Sequence, residues 1–220
     1  MNGIRKVAIF GRHGQSLANL LKILAGRQID ASLSDHGRMQ AFEAGISTAK
    51  VLRSLHLKGD EPEVLWIRSR LRRTQETMDI MCGAMGLSSD RVSLLTSTLG
   101  DEGDFGTMTG RPRKVAEAQA GLFNSLDEAW PGAESNVELG ARVMQLVEAA
   151  LSVPWFCQTA IGPCAVRIFV LHEGCNRLAI ESLLNGRLTL EGLGRPIPNG
   201  APVVLWDEGA GFIEIPVLSA

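Results

Sequence analysis

Val166-Arg167-Ile168-Phe169-Val170-Leu171, with His172 directly after it, is the stretch that decides the fold. Only Arg167 is polar in it, and the apolar residues do not alternate with polar ones. A strand with one wet face alternates; a near-continuous apolar run marks a central strand covered on both faces. Around it, Ile4–Phe10 reads as a strand ending at Gly11 and a polar turn, and Val64–Ile67 as another. Val92–Leu95 is a weaker third, and Pro202–Trp206 and Phe212–Ile215 are closing strands with a Gly-containing turn between them. Helical periods separate these runs. Ser34 N-caps a helix to about His56 whose apolar face is Met39, Phe42, Ile46, Ala49, Leu52 and Leu55. The next helix presents Leu71, Thr74, Met78, Met81 and Met85, a stripe read as core packing. After a Gly-rich loop, Gly100–Gly110, a helix begins near Pro112, another spans Asn136–Leu151, and a last one runs from about Cys175 to Leu184. Strand–helix alternation predicts an α/β three-layer sandwich, a mainly parallel central sheet with helices on both faces.

The chain has 220 residues, 45% of them hydrophobic, enough for one sizeable core. No linker-like stretch, repeat or charge run marks a boundary, so residues 1–220 read as one domain. The 22 basic and 24 acidic residues leave a formal charge of -2. That balance argues against nucleic acid or a membrane surface as partner, since both need surplus Lys and Arg. The apolar stretch Val7–Phe10 is too short for a signal peptide, and no run reaches membrane-spanning length. Cys82, Cys157, Cys164 and Cys175 lack metal-ligand spacing and are expected to be buried, reduced thiols of a cytoplasmic protein.

In an open parallel sheet, ligands bind beyond the carboxyl ends of the strands. The first strand ends in Arg12-His13-Gly14-Gln15-Ser16, the second in Ser69-Arg70-Leu71-Arg72-Arg73, and the central one at His172. Two histidines and several arginines therefore meet on one rim, where helix N-termini favour an anion and guanidinium forks match phosphate oxygens. A neutral imidazole there is a competent nucleophile toward phosphorus. The leaving oxygen needs a proton, for which Asp101, Glu102 and Asp104 are candidates. His36 and His56 read as surface or packing residues, and Arg70 and Arg72 as solvent-facing. The four tryptophans are too dispersed for an aromatic cage.

The segment Gly11-Arg12-His13-Gly14-Gln15-Ser16 with Asn19 resembles the signature of the histidine phosphatase superfamily, the phosphoglycerate mutase-like proteins. Leu33-Ser34 with Gly37, Gln40 and Ala41, then Ser69–Thr74 with Thr77, are similar to further family segments. So are Glu102 three residues before Phe105-Gly106, Pro131–Ser135, His172 and Pro198–Ala201. The resemblance implies His13 as nucleophile, with Arg12, Arg73 and His172 as phosphate ligands. Glu102 is implied as acid then base, in preference to its acidic neighbours, and no metal or cofactor is required. Asn19, Glu173 and Gly174 complete the expected phosphate and substrate set. Glu173 departs from the family pattern, which has Gly directly after the second histidine. Its carboxylate is expected to turn toward a neighbour or, as the sharper hypothesis, to select a substrate bearing positive charge.

These residues point to a phosphatase acting on a small phosphorylated substrate. The runner-up is a mutase of the phosphoglycerate type, and the non-enzymic alternative is a silent domain that binds phosphorylated ligands. The interval from Glu102 to His172 is shorter than the resemblance to mutases would give. A cap or specificity segment is expected around residues 107–133, where Arg111, Arg113 and Lys114 offer a grip on a second acidic group.

Overall fold

The computed structural model describes residues 5–58, 63–120, 123–159, 162–207 and 209–216; Ile4 of the first expected strand lies outside them. In chain order the elements are β1 (Arg5–Arg12), α1 (Leu17–Leu20), α2 (Asp35–Ser54), β2 (Leu65–Arg68), α3 (Arg72–Ala84) and β3 (Ser93–Thr96). Then follow α4 (Arg113–Ala120), α5 (Asn136–Ser152), β4 (Cys157–Thr159), β5 (Gly162–Leu171), α6 (Glu173–Asn185), β6 (Val203–Asp207) and β7 (Phe212–Ile215). The strand order is β3-β2-β5-β1-β6-β7, with β4 paired to the start of β5. β1, β2, β3 and β5 run parallel, while β4, β6 and β7 join antiparallel. The α/β sandwich expected from the sequence is the fold observed.

Each central strand feeds two cores. Val166, Ile168 and Val170 of β5 pack with Val7, Ile9 and residues of α2 and α3; Phe169 and Leu171 pack with Phe10 and the inner faces of α5 and α6. All four cysteines are buried, as packing residues would be.

The buried face of α2 differs from the expected one. Gly37, Ala41, Ala44, Gly45, Thr48 and Leu52 are buried, whereas Met39 is 63% and Phe42 52% exposed. Close approach to α3 is the cause: a Cβ on Gly45 would lie 2.7 Å from the Met81 carbonyl oxygen. Only small side chains fit where the helices come that near, so Met39 and Phe42 point outward, while Leu52 and Leu55 at the helix end are buried as expected. α1 and β4 were also not expected. The first is a single turn made by a capping box, Ser16 with Asn19, and the second is a three-residue edge, each too short to show a period.

Arg167, the polar residue of the central strand, is wholly buried. Its guanidinium donates to the carbonyls of Ala150, Val153 and Trp155 at 2.7, 2.7 and 2.9 Å, and to those of Val166 and Glu63 at 3.0 and 3.3 Å. The charge thus closes the C-terminal end of α5, where unpaired carbonyls and the negative dipole end collect. Replacing it with methionine leaves several buried acceptors without donors. Arg167→Met is expected to cost at least about 3 kcal/mol in a urea unfolding titration.

Candidate active site

Strand register builds the site. Arg12 of β1 lies opposite Leu171 of β5, and the His13 N–H donates to the Leu171 carbonyl at 3.0 Å. The next residues on the two chains, His13 and His172, therefore emerge side by side, their ring centroids 5.1 Å apart and edge to face. The Ser69–Arg73 turn follows β2, on the other side of β5.

The turn after β1 is set by backbone contact. A Cβ on Gly14 would fall 2.1 Å from the Gly37 carbonyl oxygen, so residue 14 must be glycine. The Gly14 N–H donates to Thr77 Oγ1 at 3.1 Å, tying the turn to α3, and Asn199 Nδ2 donates to the His13 carbonyl. His13 Nδ1 lies 2.7 Å from the Gly14 carbonyl oxygen. A carbonyl only accepts, so Nδ1 carries the proton and Nε2 keeps its lone pair. Burial, with Arg73 and Arg12 nearby, holds the His13 pKa well below the ordinary imidazole value. His13 is thus a neutral imidazole near neutral pH.

Arg73 is buried and donates through Nη2 to Gly26 O at 2.9 Å, through Nη1 to Ile29 O at 3.1 Å and through Nε to His172 Nδ1 at 3.3 Å. Since Arg only donates, His172 Nδ1 accepts and its Nε2–H faces Ser69 Oγ at 2.8 Å. His172 is likewise held neutral, first by burial and then by Arg73. The cavity, about 200 Å³, is lined by Arg12, His13, Asn19, Arg73, Glu102, Arg113, Glu173, Gly174 and Arg177 among others, while His172 is wholly buried. Ser69 and Arg73 hold the second ring beside the first.

Arg12 donates through Nη1 to Ile197 O at 3.1 Å and pairs through Nη2 with Glu173 at 2.8 Å; its buried Nε has no partner among the described residues. Glu173 also accepts from Arg177 Nη2 at 2.7 Å. Its carboxylate is therefore occupied by two arginines and turned toward its neighbours. Asn19 accepts from the Ser16 N–H through Oδ1 at 3.1 Å.

Three acids competed in the sequence, and their partners separate them. Asp101 is buried and bound by Arg70 through its N–H, Nε and Nη2 at 2.9, 3.0 and 2.7 Å. Asp104 accepts from Arg27 and Gln28 and from the Gly106 N–H. Glu102 lines the cavity with no ion pair in contact among the described residues, and burial raises its pKa, against the opposing pull of Arg73, the Gly103 N–H and Arg12. A carboxyl biased toward its protonated form is what proton donation requires. Arg70 and Arg72 are exposed as expected but engaged, Arg70 with Asp101 and Arg72 with Glu76.

Glycine at 174 makes room for the acid. A Cβ there would sit 3.0 Å from Glu102 Oε1, the movable end of a side chain. Gly174→Ala is expected to leave the melting temperature nearly unchanged but displace the carboxyl by a few tenths of an ångström, lowering kcat roughly tenfold. Steady-state kinetics beside a thermal melt checks both halves.

Sequence reasoning missed Arg142. It pairs with Glu134 at 2.6 Å and donates to the carbonyls of Leu99, Asp101 and Glu102 at 2.7, 2.7 and 3.1 Å. It fixes the loop that carries Glu102, and nothing in a lone arginine on a helix signals that task. Arg177 was missed too, although its place one turn after Glu173 was a usable cue.

A buried imidazole with a free nitrogen, two arginines and a protonatable carboxyl around one cavity, at the carboxyl ends of parallel strands, belong to the class of α/β phosphatases and phosphotransferases. The family model described as histidine phosphatase superfamily (branch 1) matches residues 8–205, and the chain belongs to that superfamily. A 2,3-bisphosphoglycerate-dependent phosphoglycerate mutase of Methylorubrum extorquens is 27% identical over 91% of this chain and 89% of its own. Among solved structures, a mycobacterial glucosyl-3-phosphoglycerate phosphatase superposes with a TM-score of 0.70 at 25% identity, covering 96% of this chain and 97% of the other. An alpha-ribazole phosphatase of Shigella flexneri gives a TM-score of 0.66 at 19% identity over 90% and 89%. No described helix is long and apolar enough to cross a membrane.

Proposed function

We propose that the protein is a phosphomonoester phosphatase that forms a phosphohistidine on His13 and needs no metal. The observation that carries the reading is the tautomer of His13: Nδ1 is committed to Gly14 O, which leaves Nε2 as a nucleophile between Arg12 and Arg73. The substrate phosphate occupies the cavity between these arginines, whose guanidinium charge stabilises the equatorial oxygens in the transition state. The unpartnered Nε of Arg12 is a donor available to this anion. As the N–P bond forms and the ester P–O bond breaks, Glu102 gives its proton to the leaving oxygen. The resulting carboxylate then takes a proton from water attacking the phosphohistidine, which restores His13 and releases phosphate. In this reading the segment 107–133, of which residues 121–122 lie outside the described ones, supplies the cap over this site.

Release to water is favoured over return to substrate by the pairing of Glu173. Its carboxylate engages Arg177, and so lowers the pull of that guanidinium on a second acidic group of the substrate, while the pair with Arg12 leaves the Arg12 charge beside the phosphate only in part offset. The mutase reading keeps the similarity to the Methylorubrum mutase and one structural support: Arg113 of α4 lines the cavity and its ion pair with Glu117, at 3.9 Å, is loose. Nucleophile, cations and acid stand together, which supports turnover over a silent binding role. The test incubates the chelator-treated protein with a panel of phosphomonoesters. Stoichiometric free phosphate, with an acid-labile, base-stable label on the protein, is the expected result. Phosphoryl exchange between hydroxyls of 3-phosphoglycerate with little free phosphate would replace it with the mutase reading.

A further inference from the structure

Beside the phosphate cavity lies a second chamber of about 220 Å³. The two share Phe105, Asn136, Leu139, Gly174 and Arg177 in their walls, so the chamber adjoins the cavity in which the phosphate is proposed to sit at His13. Its other walls are distinctive. Phe123 and Trp130 stand 5.6 Å apart by ring centroid, and Phe105 meets Trp130 edge to face at 6.0 Å. These three aromatic side chains make an apolar slot on the side of the leaving group.

The charges around the slot are already spent. Arg177 donates to Glu173 Oε1 and to the Arg195 carbonyl, each at 2.7 Å. Glu134 is bound by Arg142. Glu128, also on the wall, accepts from the Asn124 N–H at 3.1 Å and is an acid, not a base. A leaving group with a carboxylate or second phosphate would meet, among the described residues of this wall, one guanidinium already engaged by Glu173 and the carboxylates of Glu128 and Glu134, and its desolvation would oppose binding. A flat uncharged ring meets aromatic faces and edges instead, where stacking and apolar burial both favour it.

We infer that the Phe105–Phe123–Trp130 chamber is the leaving-group site, and that it selects phosphomonoesters whose alcohol portion carries a flat, uncharged ring. This rests on the phosphate occupying the His13 cavity and deepens the phosphatase reading by naming a substrate class. Arg113 lies on the phosphate cavity rather than on the chamber wall, so its charge does not alter the character of the slot.

Binding separates this inference from catalysis. The dissociation constants of 1-naphthylmethylphosphonate and methylphosphonate, neither of which can be hydrolysed at the P–C bond by this chemistry, are measured by calorimetry. Wild type is expected to bind the ring-bearing phosphonate at least roughly tenfold more tightly. Trp130→Ala and Phe123→Ala, whose folding is checked by circular dichroism, each bring that ratio down; Phe123→Ala serves should the Trp130 variant not fold. Equal affinities in the wild type, no binding of the ring-bearing phosphonate, or a ratio that survives both substitutions would overturn the inference. Hydrolysis of 1-naphthyl phosphate, assayed in parallel with and without His13→Ala, reports on the phosphohistidine reading independently, because phosphonate binding needs no turnover.

Discussion

His13→Ala lowers phosphate release by roughly ten-thousandfold or more in kcat, the scale on which loss of a covalent nucleophile is felt. Arg12, Arg73 and Glu102 remain, so binding of inorganic phosphate persists while the acid-labile protein label disappears. The same substitution carries a second, oppositely directed effect. His13 has its pKa depressed by burial and by Arg73 and Arg12. Below the unfolded-state value near 6.5, the unfolded chain binds a proton there that the folded chain refuses, so wild-type stability falls as pH drops through that range. The fall continues until the depressed folded pKa is reached. Removing His13 removes this contribution, so the difference in melting temperature between pH 8 and pH 5 is expected to shrink. His172, depressed for the same reasons, keeps the remainder. A variant that is inactive yet no less acid-labile than wild type would argue that His13 is not the buried neutral group described.

Much of this arrangement is legible in the sequence because it depends on strand ends. An unbroken apolar run identifies β5 as central, and residues directly after parallel strands must share one rim, so His13, Arg73 and His172 converge on paper before any coordinate is known. Other features rest on close contact, which hydrophobic period does not report. The inner face of the first three turns of α2 is made of glycine, alanine and threonine because α3 comes too near for anything larger, and a pattern that follows large residues selects Met39 and Phe42 wrongly while it finds Leu52 and Leu55. The orientation of the His172 ring is a matter of which hydrogen bonds hold it, Arg73 on one nitrogen and Ser69 on the other, not of where its strand ends. Neighbouring acids are equally opaque by spacing. The family resemblance prefers Glu102 among Asp101, Glu102 and Asp104, but a physical reason for it comes only when Arg70, Arg27 and Gln28 are seen to occupy the first and third.

That last distinction gives Glu102→Gln a divided outcome. With an alkyl phosphate the leaving oxygen is strongly basic and needs a proton as the bond breaks, so kcat is expected to fall about 100- to 10,000-fold. With 4-nitrophenyl phosphate the leaving oxygen needs little help, and the first half-reaction survives. Glutamine cannot take a proton from water, so the second half-reaction slows. A burst of nitrophenol followed by a stalled steady state is expected, with phosphohistidine accumulating on the protein; rapid-quench labelling reads it directly. The pH profile of the wild type follows from the same two groups. His13 must be neutral, so activity is lost as pH falls through its depressed pKa. Glu102 must be protonated, so activity on alkyl phosphates is lost as pH rises through a pKa that burial has raised above the usual carboxylate value. A bound phosphate dianion beside the carboxyl raises it further and widens the window on the alkaline side. In Glu102→Gln the alkaline limb disappears while the acidic limb stays with His13. Were Asp101 the donor instead, its ion pair with Arg70 would have to break first, and Glu102→Gln would retain both the alkaline limb and most of its alkyl-phosphatase rate.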